Sequence, residues 1–436
     1  MTLYCGSGKV DITPRLGVPL AGYEGKPRLA SDIHDPLYSR VIVLKKSEQY
    51  FVIISLDLVG VDTYYIQGLT EQLYEKFSIP KENIFVHASH THSGPGGIFH
   101  ENSLIGKAYA YMNGYIDYDA MLIEEQHRKI IQSVKKALNN MLPCEMYYGE
   151  NTAEGIGTNR NNPEKPYDSK LKVITFKKED GQKDVLYHFA CHPTIMHSSN
   201  TSISADFPGV TSKSLEQTEN VQIALFLNGP SADISTRFTR KSATFDEVNR
   251  LGNRLFESVL VAMNDLKPLT ISELKSSIKI ARLKVREFPS TESLETQLLN
   301  LEKEFKEMNE KQDYNQQGEM RQLQSVIEGV RTILSIKENL KDVEQVVVNI
   351  QVLKIGEIYL LSMPGEVYFE TGQSIIDSFD SSQILIVGNT NDHIGYIVPE
   401  RYYHEANYES YMTLLESDSE NKLKKIAIKN LYNIKN

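Results

Sequence analysis

Six short β-rich runs pair off across tight polar turns, and this pattern leaves little choice of architecture. Residues 40–46 (RVIVLKK) and 50–56 (YFVIISL) flank a short turn, and Asp57 follows. Residues 171–176 and 185–190 flank Glu179-Asp180-Gly181, and Cys191-His192-Pro193 follows. Residues 346–355 and 358–363 flank Gly356-Glu357, and Pro364-Gly365-Glu366 follows. Asp-Gly and other glycine-containing turns are hairpin signals because they supply the positive φ that tight turns need. Each hairpin therefore predicts a ligand-capable residue where its second strand ends. Three single runs behave alike: 84–89 leads into His90-Thr91-His92, 222–229 into Pro230-Ser231-Ala232-Asp233, and 384–390 into Asn391-Asp392-His393. Their near-continuous apolar character predicts burial on both faces. Helical periodicity lies between them, over 63–76, 119–139 and 244–264. The expectation is an α/β fold of layered mixed sheets flanked by helices, with polar residues gathered at one set of strand ends, where such folds bind ligands.

At 436 residues the chain exceeds what one small core accommodates and points to packed layers, or to one large domain with an appendage. Residues 290–341 supply the appendage. Leu294, Leu298, Leu301, Phe305 and Met308 step by fours and threes, as do Leu323, Val326, Val330 and Ile333, around the polar stretch NEKQDYNQQGE. This predicts an inserted antiparallel helical hairpin with a narrow apolar seam: a packing element, a lid, or an arm through which two copies associate. The net charge of −10 argues against a nucleic-acid partner, since phosphate contacts need a basic face. The opening MTLYCGSGKVDITP lacks a basic segment followed by an apolar one, and no apolar run is long enough to span a bilayer. Cys5, Cys144 and Cys191 are three and scattered, so reduced thiols in a cytoplasmic protein are expected.

The chemistry concentrates in a few segments. In His90-Thr91-His92, alternation along extended backbone puts both imidazoles on one side, and two neutral imidazoles that close bind a divalent metal. The spacing alone leaves open which of the two is the primary ligand. His192, at a strand end beside Pro193, is a rigid candidate ligand; His197 is more simply a solvated surface histidine, and Asp206 is placed to orient a ligand histidine. The turn Pro364-Gly365 fixes the carboxylate of Glu366 at a strand end, where by itself it reads equally as a helix N-terminal glutamate favoured by the macrodipole. A last segment carries His393, Gly395-Tyr396 and Tyr408. The remaining histidines, His34, His87, His100, His127, His188 and His404, read as structural.

Taken in order, Gly8-Lys9-Val10-Asp11-Ile12-Thr13, His90-Thr91-His92-Ser93-Gly94-Pro95-Gly96-Gly97, Asn159-Arg160, Phe189-Ala190-Cys191-His192, Pro364-Gly365-Glu366 and Gly395-Tyr396 with Tyr408 resemble the neutral ceramidase family across nearly the whole chain. That family consists of zinc amidases. The resemblance implies one Zn2+ per chain held by His90, His192, Glu366 and Tyr396, with His92 as the acid–base histidine. It implies that Arg160 and Tyr408 contact substrate and oxyanion, and that water activated at the zinc cleaves the C–N bond of an N-acyl compound.

The chain departs from the family in three ways. Where the family has a serine in an SNAGD-type segment, this chain reads Asn228-Gly229-Pro230-Ser231-Ala232-Asp233, with Gly229 at the serine position and Ser231 close by. Gly229, Ser231 and His393 are accordingly expected among the substrate-binding residues. The expectation is a single catalytic domain over residues 1–436, without the family's immunoglobulin-like C-terminal domain, and the 290–341 hairpin is extra. The implied substrate is a small polar N-acyl compound rather than a membrane lipid. Two rival readings are a zinc hydrolase or lyase acting on an ester, phosphoester or sugar derivative, and a non-catalytic zinc-containing binding protein.

Overall fold

The computed structural model describes residues 2–23, 28–109, 118–310, 317–380, 383–405 and 407–435. Among these residues one unit recurs three times: three antiparallel strands, a crossover helix, a strand parallel to the third, and a closing helix. In the first unit the strands are Leu3–Asp11, Tyr38–Lys46, Gln49–Leu56 and Ile84–Ala88, with helices Thr63–Phe77 and Ala120–Asn139. In the second they are Leu142–Thr152, Lys170–Lys178, Lys183–Phe189 and Val221–Asn228, with helices Asp206–Glu216 and Phe245–Asn264. In the third they are Leu274–Lys284, Gln345–Ile355, Ile358–Ser362 and Ile384–Val387, with helices Phe369–Asp377 and Ser419–Lys435. The expected hairpins are the middle two strands of each unit.

The first two units fuse into one mixed sheet by pairing Leu3–Cys5 with Leu142–Cys144, while the third forms its own four-stranded sheet. The sheets pack face to face. Ile42, Phe51, Ile53, Phe85, Leu186 and Leu225 meet Leu353, Ile358, Leu360 and Leu385 in a dry core. Helices cover the outer faces, so the layers run helix, sheet, sheet, helix. Strands in the interior of such a stack are buried on both sides, which is why Ile84–Ala88 has no exposed residue and no polar alternation.

Local chemistry fixes these elements. Asp62 accepts the Tyr65 amide at 2.9 Å and Asp119 the Leu122 amide at 3.0 Å, capping their helices. In the first strand glycine is required for close approach: a Cβ on Gly8 would lie 1.9 Å from the Ser133 carbonyl oxygen, and one on Gly6 2.0 Å from that of Ala137. The closing helix therefore sits directly on the strand.

The insert is a pair of helices, Thr291–Glu310 and Gln317–Ile336, joining the first two strands of the third unit. Leu294, Leu323, Val326, Val330 and Ile333 are buried, as the periodicity requires, and the second helix packs against Tyr408–Met412. Residues 311–316 of the polar connection lie outside the described residues. The three cysteines are free. Among the described residues no helix is long and apolar enough to cross a membrane.

Candidate metal centre

Strand ends from all three units converge at one point. The first unit contributes His90, just past Ile84–Ala88. It is 2% exposed and its φ is 75°, a conformation that side chains adopt only when the surroundings enforce it. Its amide donates to the Leu58 carbonyl at 2.8 Å, and its Nδ1 faces the Val59 carbonyl at 2.6 Å. The second unit contributes His192, whose Nδ1 faces the Ser231 carbonyl at 2.6 Å. In both rings the carbonyl selects the Nδ1–H tautomer and leaves Nε2 as a lone-pair donor. The third unit contributes Glu366 and Tyr396, which are register partners in a two-residue parallel bridge.

The free atoms meet. Glu366 Oε2 lies 2.9 Å from His192 Nε2 and 3.4 Å from His90 Nε2, and His92 Nε2 is 3.3 Å from His90 Nε2. His90, His92 and His192 offer ligand nitrogens within 4.8 Å of one another. His393 Nε2 approaches Glu366 Oε1 at 3.9 Å, and its Nδ1 is held by Asn389 at 2.9 Å. Neutral imidazoles and an ionised carboxylate are what a divalent ion requires. Burial, followed by Arg160, pushes His192 down to about 4; burial, then His90 and His192, hold His92 well below its ordinary value. Burial alone would raise the Glu366 carboxyl, but His90 and His192 overcome it and hold the group well below the usual carboxylate range. Burial, and then Glu366, push the Tyr396 phenol well above its ordinary value. The donors fit a zinc-type ion: the nitrogens of His90, His92 and His192 converge, and the Glu366 carboxylate lies on two of them.

Arg160 Nη2 donates to the Tyr396 hydroxyl at 3.1 Å, while its Nε pairs with Glu409 at 2.6 Å. Tyr408 lies beside both, its ring centroid 5.7 Å from that of Tyr396 and 5.5 Å from the Arg160 guanidinium carbon. Gly229 lines neither cleft at the centre, and a Cβ there would meet Ala190 and His188. Ser231 enters through its backbone carbonyl on His192. His197 is exposed, at the outer rim of the cleft above the centre. Asp57, where the first hairpin ends, is not at the centre; it pairs with Arg40 at 3.0 Å in a buried structural ion pair. Asp206 does not orient a histidine either: its carboxylate accepts the Ile195 and Phe207 amides and shapes the loop after His192. His87 is structural. Its Nδ1 faces the Gly388 carbonyl at 3.1 Å and its Nε2 accepts the Asn228 amide at 3.0 Å, tying together the parallel strands of all three units.

Sequence reasoning assigned no role to Glu409, Tyr23, Arg237, Arg240 or Arg321. Glu409 adjoins Tyr408, but nothing in the sequence shows that Arg160 lies opposite it. Two clefts reach the centre and share Tyr23, His92, Tyr396 and Tyr408. One has an apolar wall of Val59, Phe99, Ile105 and Met412. The other is lined by Arg160, Arg237, Arg240 and Arg321.

The family model "Neutral/alkaline non-lysosomal ceramidase, N-terminal" matches residues 3–241. The neutral ceramidase of Pseudomonas aeruginosa is 23% identical over 470 aligned residues, covering 94% of this chain and 68% of that protein. The neutral ceramidase of Oryza sativa is 27% identical over 229, covering 48% of this chain and 28% of that protein. The crystal structure of the Pseudomonas aeruginosa enzyme superposes with a TM-score of 0.78 at 19% identity, over 100% of this chain and 74% of that one, which shows a shared fold. Glu366 and Tyr396 lie beyond the segment matched by the family model.

Proposed function

The chain belongs to the neutral/alkaline non-lysosomal ceramidase family, and from that premise we propose that it is a metal-dependent amidohydrolase cleaving the C–N bond of a small N-acyl compound. The observation that carries the reading is the meeting of Glu366 with His90 and His192 at 3.4 and 2.9 Å, beside Tyr396. His90, His192, Glu366 and Tyr396 hold a zinc-type ion, one per chain. Such an ion supplies Lewis acidity and brings the pKa of water toward about 7.

The protein's own groups do the rest. The Val59 and Ser231 carbonyls orient the two ligand rings. His92, neutral and flanked by His90 and Tyr23, takes a proton from the attacking water and returns it to the leaving amine, a role typically worth about 10²–10⁴ in rate. Arg160, anchored by Glu409, fixes the Tyr396 hydroxyl. Tyr408 donates its hydroxyl to the developing oxyanion, a contribution of roughly 3–4 kcal/mol for a well-placed donor. The reading is tested by elemental analysis of gently purified protein beside amine release from N-acyl substrates. About one ion per chain with amine release is expected; a chain that neither holds nor takes up zinc, and releases no amine, sinks it.

A further inference from the structure

The arginine-lined cleft adds three arginines to Arg160, which itself touches Tyr396. Arg237 and Arg240 follow Ile234–Ser235, the bridge that pairs with Asn159, and Arg321 comes from the inserted helix Gln317–Ile336. The inserted helix is fastened to this wall. Arg237 Nη2 donates to Ser325 Oγ at 2.8 Å and Gln322 Nε2 to the Asn161 carbonyl at 3.0 Å, while Arg321 donates to the Arg237 carbonyl.

These guanidiniums are held by carbonyls and hydroxyls. Arg237 Nη1 donates to the Arg160 carbonyl at 3.0 Å, and Arg240 donates to the carbonyls of Thr194 and Ile195. Among the described residues none of Arg237, Arg240 and Arg321 has a carboxylate partner, in contrast to Arg160 with Glu409. Arg321 Nε is buried with no hydrogen-bond partner. The carboxylate lining the cleft is Glu328, which is bonded to Gln324 at 3.2 Å and raised from its ordinary value by burial. Four arginines line the cleft, Arg160 among them, and the carboxylates that act on them are Glu328 in the cleft with Glu409 and Asp206 behind it, so the balance stays positive. Burial, and then Arg160, lower Arg237 from its ordinary value, and Glu409 acts against them. Arginine forks held in this way suit an oxyanion.

We propose that this cleft binds an anionic group on the amine side of the substrate, while the acyl group lies against Val59, Phe99, Ile105 and Met412 in the opposite cleft. The substrate class is thus an N-acylated amine bearing a carboxylate, sulfonate or phosphate a short spacer from the amide nitrogen. The inserted helix, through Arg321, is part of the specificity site. The proposal rests on the amide-hydrolysis reading for its reaction, but the anion site stands or falls by itself.

The test uses a matched set with one acyl group: N-butanoylethanolamine, N-butanoylglycine, N-butanoyltaurine and N-butanoyl-O-phosphoethanolamine. Amine release is measured on the zinc-loaded full chain, and on Arg240→Gln, Arg321→Gln and Arg321→Lys. In parallel, inorganic phosphate is titrated calorimetrically into zinc-loaded and chelator-treated protein, so that binding at the metal is told apart from binding at the arginines. At least one anionic member is expected to exceed the ethanolamide in kcat/KM by about tenfold or more, the member favoured identifying the group. That preference falls about tenfold in both glutamine variants, mainly through KM, and is partly kept in Arg321→Lys. An anion preference absent in the wild type, or present and unmoved in both glutamine variants, overturns the proposal. If no member is hydrolysed, yet phosphate binds the chelator-treated wild type and not Arg321→Gln, the amidase reading fails and the anion site stands. Hydrolysis of the ethanolamide without phosphate binding or anion preference is the converse.

Discussion

The two clefts that meet at His92, Tyr396 and Tyr408 are opposites in chemistry. The wall of Val59, Phe99, Ile105 and Met412 offers surface that gains roughly 25 cal/mol for each Å² of apolar contact removed from water. The wall of Arg237, Arg240 and Arg321 offers fixed donors and uncompensated charge. The first is built from loops around the first unit and the third. The second is built from the second unit and the insertion. What lies between them, His90, His192 and Glu366, is held by backbone carbonyls and strand register. The contrast lies in where the walls come from: the apolar wall shares the first and third units with His90, Glu366 and Tyr396, whereas the arginine wall is drawn from the second unit and the insertion.

The largest effect is expected at the shared centre. His192→Ala and Glu366→Gln each lose the ion and about 10³-fold or more in amine release, the several kcal/mol that metal polarisation contributes, on both neutral and anionic substrates. Elemental analysis beside the assay checks this, and metal retained at full occupancy in either variant would break the assignment. The next effect is on the anchor between the clefts. Glu409→Gln leaves Arg160 buried without its 2.6 Å partner and costs about 3–5 kcal/mol in denaturant unfolding. The Arg160→Met, Glu409→Leu pair costs less than the single change, and a single change within experimental error of wild type contradicts the picture.

On the apolar side, Ile105→Ala opens the wall and moves the optimum toward longer acyl chains. Discrimination is on the order of 1–3 kcal/mol per methylene, read as kcat/KM along an acyl series. An unchanged chain-length profile would move the acyl site elsewhere. The last effect, confined to acid pH, is on the scaffold behind the clefts. Burial pushes His87 down to about 3 from an ordinary value of 6.5. Its folded-state pKa is thus depressed, the unfolded chain binds the proton first, and His87 costs stability as pH falls below 6.5. The advantage of wild type over His87→Gln in denaturant midpoints therefore narrows by up to about 1.4 kcal/mol per pH unit between 6.5 and 3. A pH-independent gap would mean that the ring is not held neutral.

Much of the architecture was legible because hydrophobic pattern and turn chemistry are local. The hairpins ending near Leu56, Phe189 and Ser362 and the apolar strands at Ile84, Val221 and Ile384 follow from β-branched runs and glycine turns. The first strand of each unit was not legible. Leu3–Asp11 contains Gly6 and Gly8, which weaken any strand signal and have their reason only in the helix packed on them. Of the crossover helices, Thr63–Phe77 was read, but Asp206–Glu216, which carries a proline and a glycine in its first turn, was not, because tertiary burial overrides a poor local propensity.

At the site, residue type and strand-end position singled out His90, His92 and His192, and the resemblance named Glu366, Arg160, Tyr396 and Tyr408. Chemistry of this kind is written in side-chain identity, and a histidine after an apolar strand announces itself. Position in space is not so written. Asp57 and Glu366 each follow the second strand of a hairpin, yet one closes an ion pair with Arg40 and the other meets two histidines. Glu409 opposite Arg160, and the three arginines drawn from two distant segments, are products of packing between units. The reason is physical. Local sequence sets backbone conformation and hydrophobic period, whereas charge pairing and pocket lining depend on distances between groups hundreds of residues apart, which only the folded layers bring within a few ångströms.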